Sequence, residues 1–414
     1  MLLNQTTAAE ALVYGPDPGH QTLREATASW LGRLYHIDDN AQPTPDRIFT
    51  TNGASAGIGY LLSRFTDATY TRMIWMVEPT YFLACPVFEQ AGFEGRLRGV
   101  PEDDQGIDLD YLRNAMIQVN NEEKYETNGV TGSRAHSKKL YRHVIYVVPT
   151  FSNPSGKTMS IGRRTELVHL AREFDALIIS DDVYDALFWT TGEVDGSPSC
   201  PLERLPPRLV DIDRRLPGGQ PWGNTASNGS FSKIVAPGMR VGWIECSVDM
   251  VRELCKVGPT ISGGCQAHLS SMIISHLLQN GGLEKHIADI LVPTYHKRSR
   301  AMLKSIDKHL TPLGATLNNQ GSDQTLAGGF FLYVNLPCDS RTVRNLAQIA
   351  LEKYNLKVAT GGIMAVSGDK GSFQRAEAGF GRGLRLCWAW HEENDIEEGI
   401  KRLAAAYKKV QKMQ

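Results

Sequence analysis

Residues 228–246 read NGSFSKIVAPGMRVGWIEC. One amine, Lys233, and one guanidinium, Arg240, lie among Ser230, Ser232 and a Pro237-Gly238 pair, held by two apolar stretches. A lysine amine forms a Schiff base with an aldehyde only when unprotonated. A free lysine titrates near ~10.4, so such a lysine needs surroundings that lower its pKa. An arginine offers oxyanions a planar, charge-assisted fork. Other residues able to do chemistry are Asp181, Asp182 and Tyr184 in SDDVYDAL, Asn153 in SNPSG, Tyr81 in EPTYF, Gly53, Ala54 and Ser55 in TNGASAG, and Arg385 in LRLCW.

These residues need elements to position them. Short apolar runs (RIFTT, MIWMV, VIYVV, ALIIS) alternate with helix-like segments. That rhythm predicts an α/β fold with a mostly parallel sheet covered by helices on both faces. Residues 22–35 are expected to form a helix with Leu23, Ala26, Trp30 and Leu34 on one face and a capping box from Thr22 and Glu25. Residues 160–174 are expected to form another, capped by Ser160. Ligands of open α/β sheets bind beyond the carboxyl ends of the strands. Gly53-Ala54-Ser55, Tyr81, Asn153, Asp181 with Tyr184, and Lys233 with Arg240 each follow such a run. This collection suits a phosphorylated, aromatic, carbonyl-bearing cofactor.

Composition sets the bounds. The chain has 414 residues, a formal net charge of -1 and 42% apolar residues. Two domains are expected, with no basic excess to hold a nucleic acid. No apolar run is long enough to span a bilayer, and no secretory leader is read at the N-terminus. Seven scattered cysteines without a C-x-x-C pair are expected to be reduced thiols in a cytoplasmic protein, and no metal site is expected. SNPSGKT lacks the first glycine of a phosphate-binding P-loop, since Phe151 stands there, and GASAGIG has the wrong spacing for a dinucleotide loop. Residues 119–140 and 190–224 read as polar surface loops. A long helical stretch, roughly 283–310, leads to a C-terminal part with strands GGFFLYVNL and LRLCWAW and a final helix. The expected division is an N-terminal segment, 1–30, joined to a small C-terminal α+β domain, 291–414, around a large domain, 31–290.

SFSKIVAPGMRVGW resembles the lysine motif of class I/II pyridoxal 5'-phosphate (PLP) aminotransferases of fold type I, nearest the 2-aminoadipate and aromatic aminotransferase branch. YGPDPGHQTLREA, TNGASAG, EPTY, NPSG, SDDVY, GGFFL and LRLCW resemble that family's other blocks, in its order and over nearly the whole chain from Tyr14. The resemblance implies that Lys233 carries PLP and shuttles the proton at the substrate's α-carbon. It implies that Arg240, Ser230, Ser232 and the backbone of Gly53, Ala54 and Ser55 bind the cofactor phosphate. Asp181 would pair with the pyridine nitrogen. Asp182 is its neighbouring rival, and the family's Asp-x-x-Tyr spacing favours Asp181. Asn153 and Tyr184 would bond the phenolic oxygen of the ring, with Asn153 also at the substrate, and Tyr81 would stack on the ring. Arg385 would grip the substrate carboxylate, and Tyr14 would reach the phosphate in a neighbouring subunit, making a homodimer with shared active sites.

The implied activity is an aminotransferase acting in amino-acid metabolism on an amino acid and a 2-oxo acid. A PLP-dependent lyase, decarboxylase or cyclase would use the same residues. A non-enzymatic regulator on the same fold is disfavoured by the presence of both Lys233 and Asp181. Two departures from the family pattern are the short run of thirteen residues before Tyr14, where relatives carry a longer arm, and the missing glutamine in the phosphate turn.

Overall fold

The computed structural model describes residues 9–38, 41–122, 139–190, 205–318 and 326–413. Its main sheet has eight strands: β1 (Ile48–Thr51), β2 (Met73–Glu78), β3 (Leu97–Asp103), β4 (Gly106–Ile107), β5 (His143–Val147), β6 (Ala176–Asp181), β8 (Thr225–Ser230) and β9 (Gly242–Glu245). They lie in the order β1-β9-β8-β6-β5-β2-β3-β4. From β8 through β6, β5 and β2 to β3 every pairing is parallel, whereas β9 runs antiparallel to both β1 and β8.

Strand alternation divides the buried residues between two faces. Ile74, Met76, Val144, Tyr146, Leu177 and Ile179 pack with Ile58, Leu61 and Phe65 of the helix Ala54–Phe65. Met73, Trp75, Ile145, Val147, Ala176 and Ile178 pack with Leu167 and Leu170 of the helix Ile161–Glu173, as well as with Leu112 and Met116. Both faces are therefore dry, which is why these strands read as unbroken apolar runs. The parallel strands all end on one edge, and the loops after β1, β2, β5, β6 and β8 meet there.

A second sheet follows. Its strands β10 (Thr316–Leu317), β12 (Phe331–Asn335), β13 (Ala359–Thr360) and β14 (Gly383–Cys387) pair antiparallel in the order β10-β12-β14-β13. Leu332, Val334, Leu384 and Leu386 form its core with residues of the helices Val292–His309, Ser340–Tyr354 and Glu393–Gln411. A short antiparallel ribbon of β7 (Phe188–Thr190) and β11 (Leu326–Gly328) ties the chain just after Tyr184 to the chain just before Phe330.

Some expectations hold locally and others do not. Ser160 caps its helix, accepting from the Arg163 N–H at 3.3 Å. The Thr22–Glu25 capping box does not form. The helix Gln21–Leu34 begins one residue earlier behind His20 without a side-chain cap, and Glu25 accepts from Gln21 Nε2 at 2.7 Å instead. In that helix Trp30 packs against Phe231 and Trp243, beside the main sheet. The polar region 190–224 is not all loop: Leu209–Arg215 is a helix with Leu209, Val210 and Ile212 buried. Of the two polar stretches, 123–138 and 191–204 lie outside the described residues. The stretch 283–310 is helical, with a wider turn at Ile287–Leu291 just before Pro293.

Candidate active site

Asp181 is the last residue of β6 and Asn228 is its register partner on β8. Parity puts both on the face that carries Tyr146 of β5. The Asn228 amide donates to Asp181 Oδ1 at 3.0 Å, and the Tyr146 hydroxyl donates to Oδ2 at 2.8 Å. Burial pushes the Asp181 carboxyl up to about 6, while the two hydrogen bonds and nearby Lys233 hold it down. Asp182 belongs to the opposite face, where it accepts from Ser180 and Ser227. The two neighbouring aspartates therefore look into different surroundings.

Asn228 has a second bond, to the Ala54 carbonyl at 3.0 Å, which fastens the Asp181 carboxylate to the first turn of the helix Ala54–Phe65. The helix can approach because residue 57 is glycine: a Cβ there would stand 2.2 Å from Asn228 Oδ1.

Lys233 closes a short turn, Phe231–Lys233, that follows β8. Its amine lies 5.6 Å from the centroid of the Phe330 ring. Burial lowers its pKa and the Arg240 and Arg385 cations add to this, while Asp181 and Cys387 oppose it. The net direction favours the unprotonated amine that Schiff-base chemistry needs.

Arg385 enters from the second sheet. Leu384 and Leu386 face the core of that sheet, which turns Arg385 toward the strand ends. Its Nη1 donates to Asn153 Oδ1 at 2.8 Å, and its guanidinium lies over the Phe331 ring at 4.4 Å. Asn153 Nδ2 donates to the Tyr184 hydroxyl at 3.5 Å, so Arg385, Asn153 and Tyr184 form one chain of polar contacts. Burial, then the Asp181 charge, pushes the Tyr184 phenol well up, which keeps it neutral. Tyr81, at the start of the turn after β2, is half-buried, and its phenol is raised by burial and by Asp181, with Arg385 opposing.

A second polar group, around Arg240, lies at the other end. Arg240 adopts a left-handed backbone, φ 51°, after the turn Pro237–Met239. Its guanidinium donates to Asn52 O at 3.1 Å, Pro237 O at 3.2 Å and Ser232 Oγ at 3.4 Å. Ser230 Oγ accepts from the Ser232 N–H at 3.2 Å and lies 2.9 Å from Ser232 Oγ. Gly53, φ 91°, sits beneath: a Cβ there would be 2.4 Å from Arg240 Nη2. Ala54 and Ser55 begin the helix, where backbone N–H groups have no partner within the helix. Two hydroxyls, a guanidinium and a helix N-terminus around a side-chain-free glycine fit a phosphate. With an amine and a buried carboxylate beyond them, they fit PLP.

Tyr14 stands apart from this group. It is 84% exposed, next to exposed Leu12 and Val13. Sequence reasoning missed Tyr146, Asn228, Gly57, Phe330 and Phe331. For the first two a signal existed, since each is polar at a position sharing strand parity with Asp181. The other three are defined by contacts across long sequence separations.

A family model for class I and II aminotransferases matches residues 4–403. The chain belongs to that family. An uncharacterised protein of Saccharomyces cerevisiae is 35% identical over 407 residues, covering 96% of this chain and 87% of its own length. The aromatic-amino-acid aminotransferase 1 of Thermococcus litoralis is 29% identical over 405 residues, covering 98% of this chain and 82% of its own. The crystal structure of Pyrococcus horikoshii kynurenine aminotransferase superposes with a TM-score of 0.72 at 27% identity, covering 97% of this chain and 83% of that one. The fold is fold type I, the cofactor is PLP, and the reaction class is amino-group transfer between an amino acid and a 2-oxo acid. Nothing in these likenesses favours a lyase, decarboxylase or cyclase. Among the described residues no helix is long and apolar enough to cross a membrane.

Proposed function

We propose that this aminotransferase works through Lys233, Asp181 and Arg385, with an aromatic amino acid as donor. When bound, PLP supplies the electron sink for the substrate's α-carbon. Lys233, with its lowered pKa, is the amine that holds the cofactor and then moves the proton at that carbon. Asp181 keeps the ring nitrogen protonated, and Tyr184 and Asn153 bond the phenolic oxygen. Tyr81 covers the ring. Arg240, Ser230, Ser232 and the Gly53–Ser55 backbone hold the phosphate. Arg385 takes the substrate carboxylate, with Asn153 beside it. The observation that carries this reading is the division of the aspartates: Asp181, bonded to Asn228 and Tyr146, shares a face and a field with Lys233, and Asp182 does not.

One support favours an aromatic donor. The named relatives act on aromatic amino acids and kynurenine. The test is a half-reaction: an aromatic amino acid should convert the bound cofactor from its aldehyde to its amine form, and a 2-oxo acid should restore it. Release of carbon dioxide without that interconversion would defeat the proposal, and a panel of donors reads the specificity.

We further propose two domains dividing near residue 290. The contact of Trp30 with Trp243 supports assigning the N-terminal helix to the large one. The exposed Leu12, Val13 and Tyr14, with Ile261 and Leu269 also exposed, support a homodimer in which Tyr14 completes the partner's site. A fully active monomer in sedimentation would end that idea. Six free cysteines among the described residues support a reducing, cytoplasmic location, which cell fractionation would test.

A further inference from the structure

Asp182 joins the same two strand ends that Asp181 joins, from behind. Ser180 Oγ donates to Asp182 Oδ1 and Ser227 Oγ donates to Oδ2, both at 2.5 Å. Ser180 directly precedes Asp181 on β6, and Ser227 directly precedes Asn228 on β8. The Asp182 N–H also donates to Asn228 O at 3.0 Å. β6 and β8 are therefore clasped on both faces at their carboxyl ends, by Asn228–Asp181 toward the site and by Ser180–Asp182–Ser227 away from it.

We propose that Asp182 is a positioning residue for the reaction: its hold on Ser180 and Ser227 fixes the twist of the two strand ends and thereby the aim of the Asp181 carboxylate. This rests on the assignment of Asp181 to the ring nitrogen. The physical need is clear. Register pairing ends at Asp181 and Asn228, and the Asp182 N–H bond to Asn228 O carries it one backbone bond further, so the clasp sits where the ladder runs out. Asp182, Ser180 and Ser227 are all buried, so water does not replace a lost partner. A buried hydroxyl left without a partner loses its hydrogen bond with no water to replace it, which makes the clasp hard to open. A displacement near 1 Å at a catalytic group costs on the order of 100-fold in rate.

The surroundings suggest how the clasp works. Asp185 is a carboxylate whose charge bears on Asp182. It accepts from the Tyr35 hydroxyl at 2.7 Å and from Thr150 Oγ1 at 3.1 Å. The cations facing this pocket are Arg164 and Arg208, and Arg208 is already paired with Asp211 at 2.9 Å and Glu245 at 2.7 Å. Burial first, and then the Asp185 charge, push the Asp182 carboxyl up toward its neutral form. A serine hydroxyl can donate or accept, so an asparagine amide at 182, accepting from one serine and donating to the other, keeps both bonds, whereas leucine fills the space and keeps neither.

The experiment compares the holoenzymes of Asp182→Asn and Asp182→Leu with wild type. It reads kcat, KM and the pH at which the absorption of the bound cofactor changes, all well below each melting temperature. Asp182→Asn is expected to stay within about 3-fold of wild type with an unshifted spectral titration. Asp182→Leu is expected to lose about 10–100-fold in kcat with KM little changed, and to shift the titration, because Asp181 no longer meets the ring nitrogen squarely. If Asp182→Leu does not fold, the double variant Ser180→Ala/Ser227→Ala removes the same two bonds and should show the same loss. A folded variant of either kind with wild-type kcat and an unshifted titration overturns the positioning role. Crippled Asp182→Asn beside near-normal Asp181→Asn overturns the assignment of Asp181 itself.

Discussion

Asp181 and Asn228 stand opposite each other in the parallel register of β6 and β8, and the Asn228 amide reaches the Asp181 carboxylate at 3.0 Å while also holding the Ala54 carbonyl. The carboxylate proposed to serve the ring nitrogen is thus tied to the helix proposed to serve the phosphate.

Asp181→Asn should keep the cofactor, because the phosphate contacts lie elsewhere, and lose turnover by on the order of 100–1000-fold. Steady-state kinetics and the absorbance retained after gel filtration check both halves. Near-normal turnover would refute the role given to Asp181.

The same residue predicts a pH dependence of the cofactor-free protein. Burial raises the Asp181 carboxyl to about 6 in the fold, above its ordinary value of 3.8. A raised folded pKa contributes stability that is full below the unfolded value and is lost as pH rises through about 6. The neutral Asp181→Asn side chain escapes that loss. The melting temperature of the apo variant should therefore gain on apo wild type between pH 4 and 7, by the equivalent of roughly 2–3 kcal/mol. A constant difference across that range would contradict it.

Lys233→Ala should abolish the borohydride-reducible bond between cofactor and protein while leaving the circular dichroism of the fold unchanged. A reducible cofactor–lysine bond persisting in this variant would assign the chemistry to another lysine.

Arg385→Lys keeps the charge and loses the fork. The change also withdraws the Nη1 bond to Asn153 and the planar stack on Phe331. The loss in kcat/KM for an accepted amino acid should reach roughly 2–4 kcal/mol. The decarboxylated amine of that substrate should be nearly indifferent, and the resting cofactor spectrum unchanged. An equal loss on both substrates would make Arg385 structural.

Gly53→Ala should weaken cofactor binding by about 10–100-fold. The new Cβ would meet Arg240 Nη2 at 2.4 Å, and φ 91° is strained for any L side chain, at a cost of about 1–3 kcal/mol. Equilibrium dialysis of PLP against the apo variant measures it, and unaltered affinity would remove Gly53 from the phosphate site.

Much of this arrangement was legible in the chain because it rests on short-range rules. A strand buried on both faces must be apolar throughout, so VIYVV and ALIIS announced the parallel sheet, and the residues after them announced the edge where the site lies. Period-two alternation in LRLCW separated Arg385 from Leu384 and Leu386 correctly. What stayed hidden depends on partners far along the chain. Gly57 makes room for Asn228, 171 residues later, and the Phe330 and Phe331 rings meet Lys233 and Arg385 only once β12 has paired with β14. The capping box failed for a local reason instead. Thr22 has the right spacing to Glu25, but the helix had already begun at Gln21.

The loop that bears Lys233 and Arg240 is shut at its neck. Ser230 faces Gly242 across the antiparallel pair β8 and β9, and the Phe231 N–H bonds Val241 O at 3.1 Å. The eleven residues 231–241 therefore form a closed ring of fixed circumference, with the amine near one end and the guanidinium near the other. On the roles proposed for Lys233 and Arg240, such a ring would set the spacing between the amine that holds the cofactor and the guanidinium that holds its phosphate. Its half-buried members, Val235 and Met239, pack against the cluster that holds Phe231, Ile234 and Val241. Inserting or deleting one residue would put amine and guanidinium out of step together.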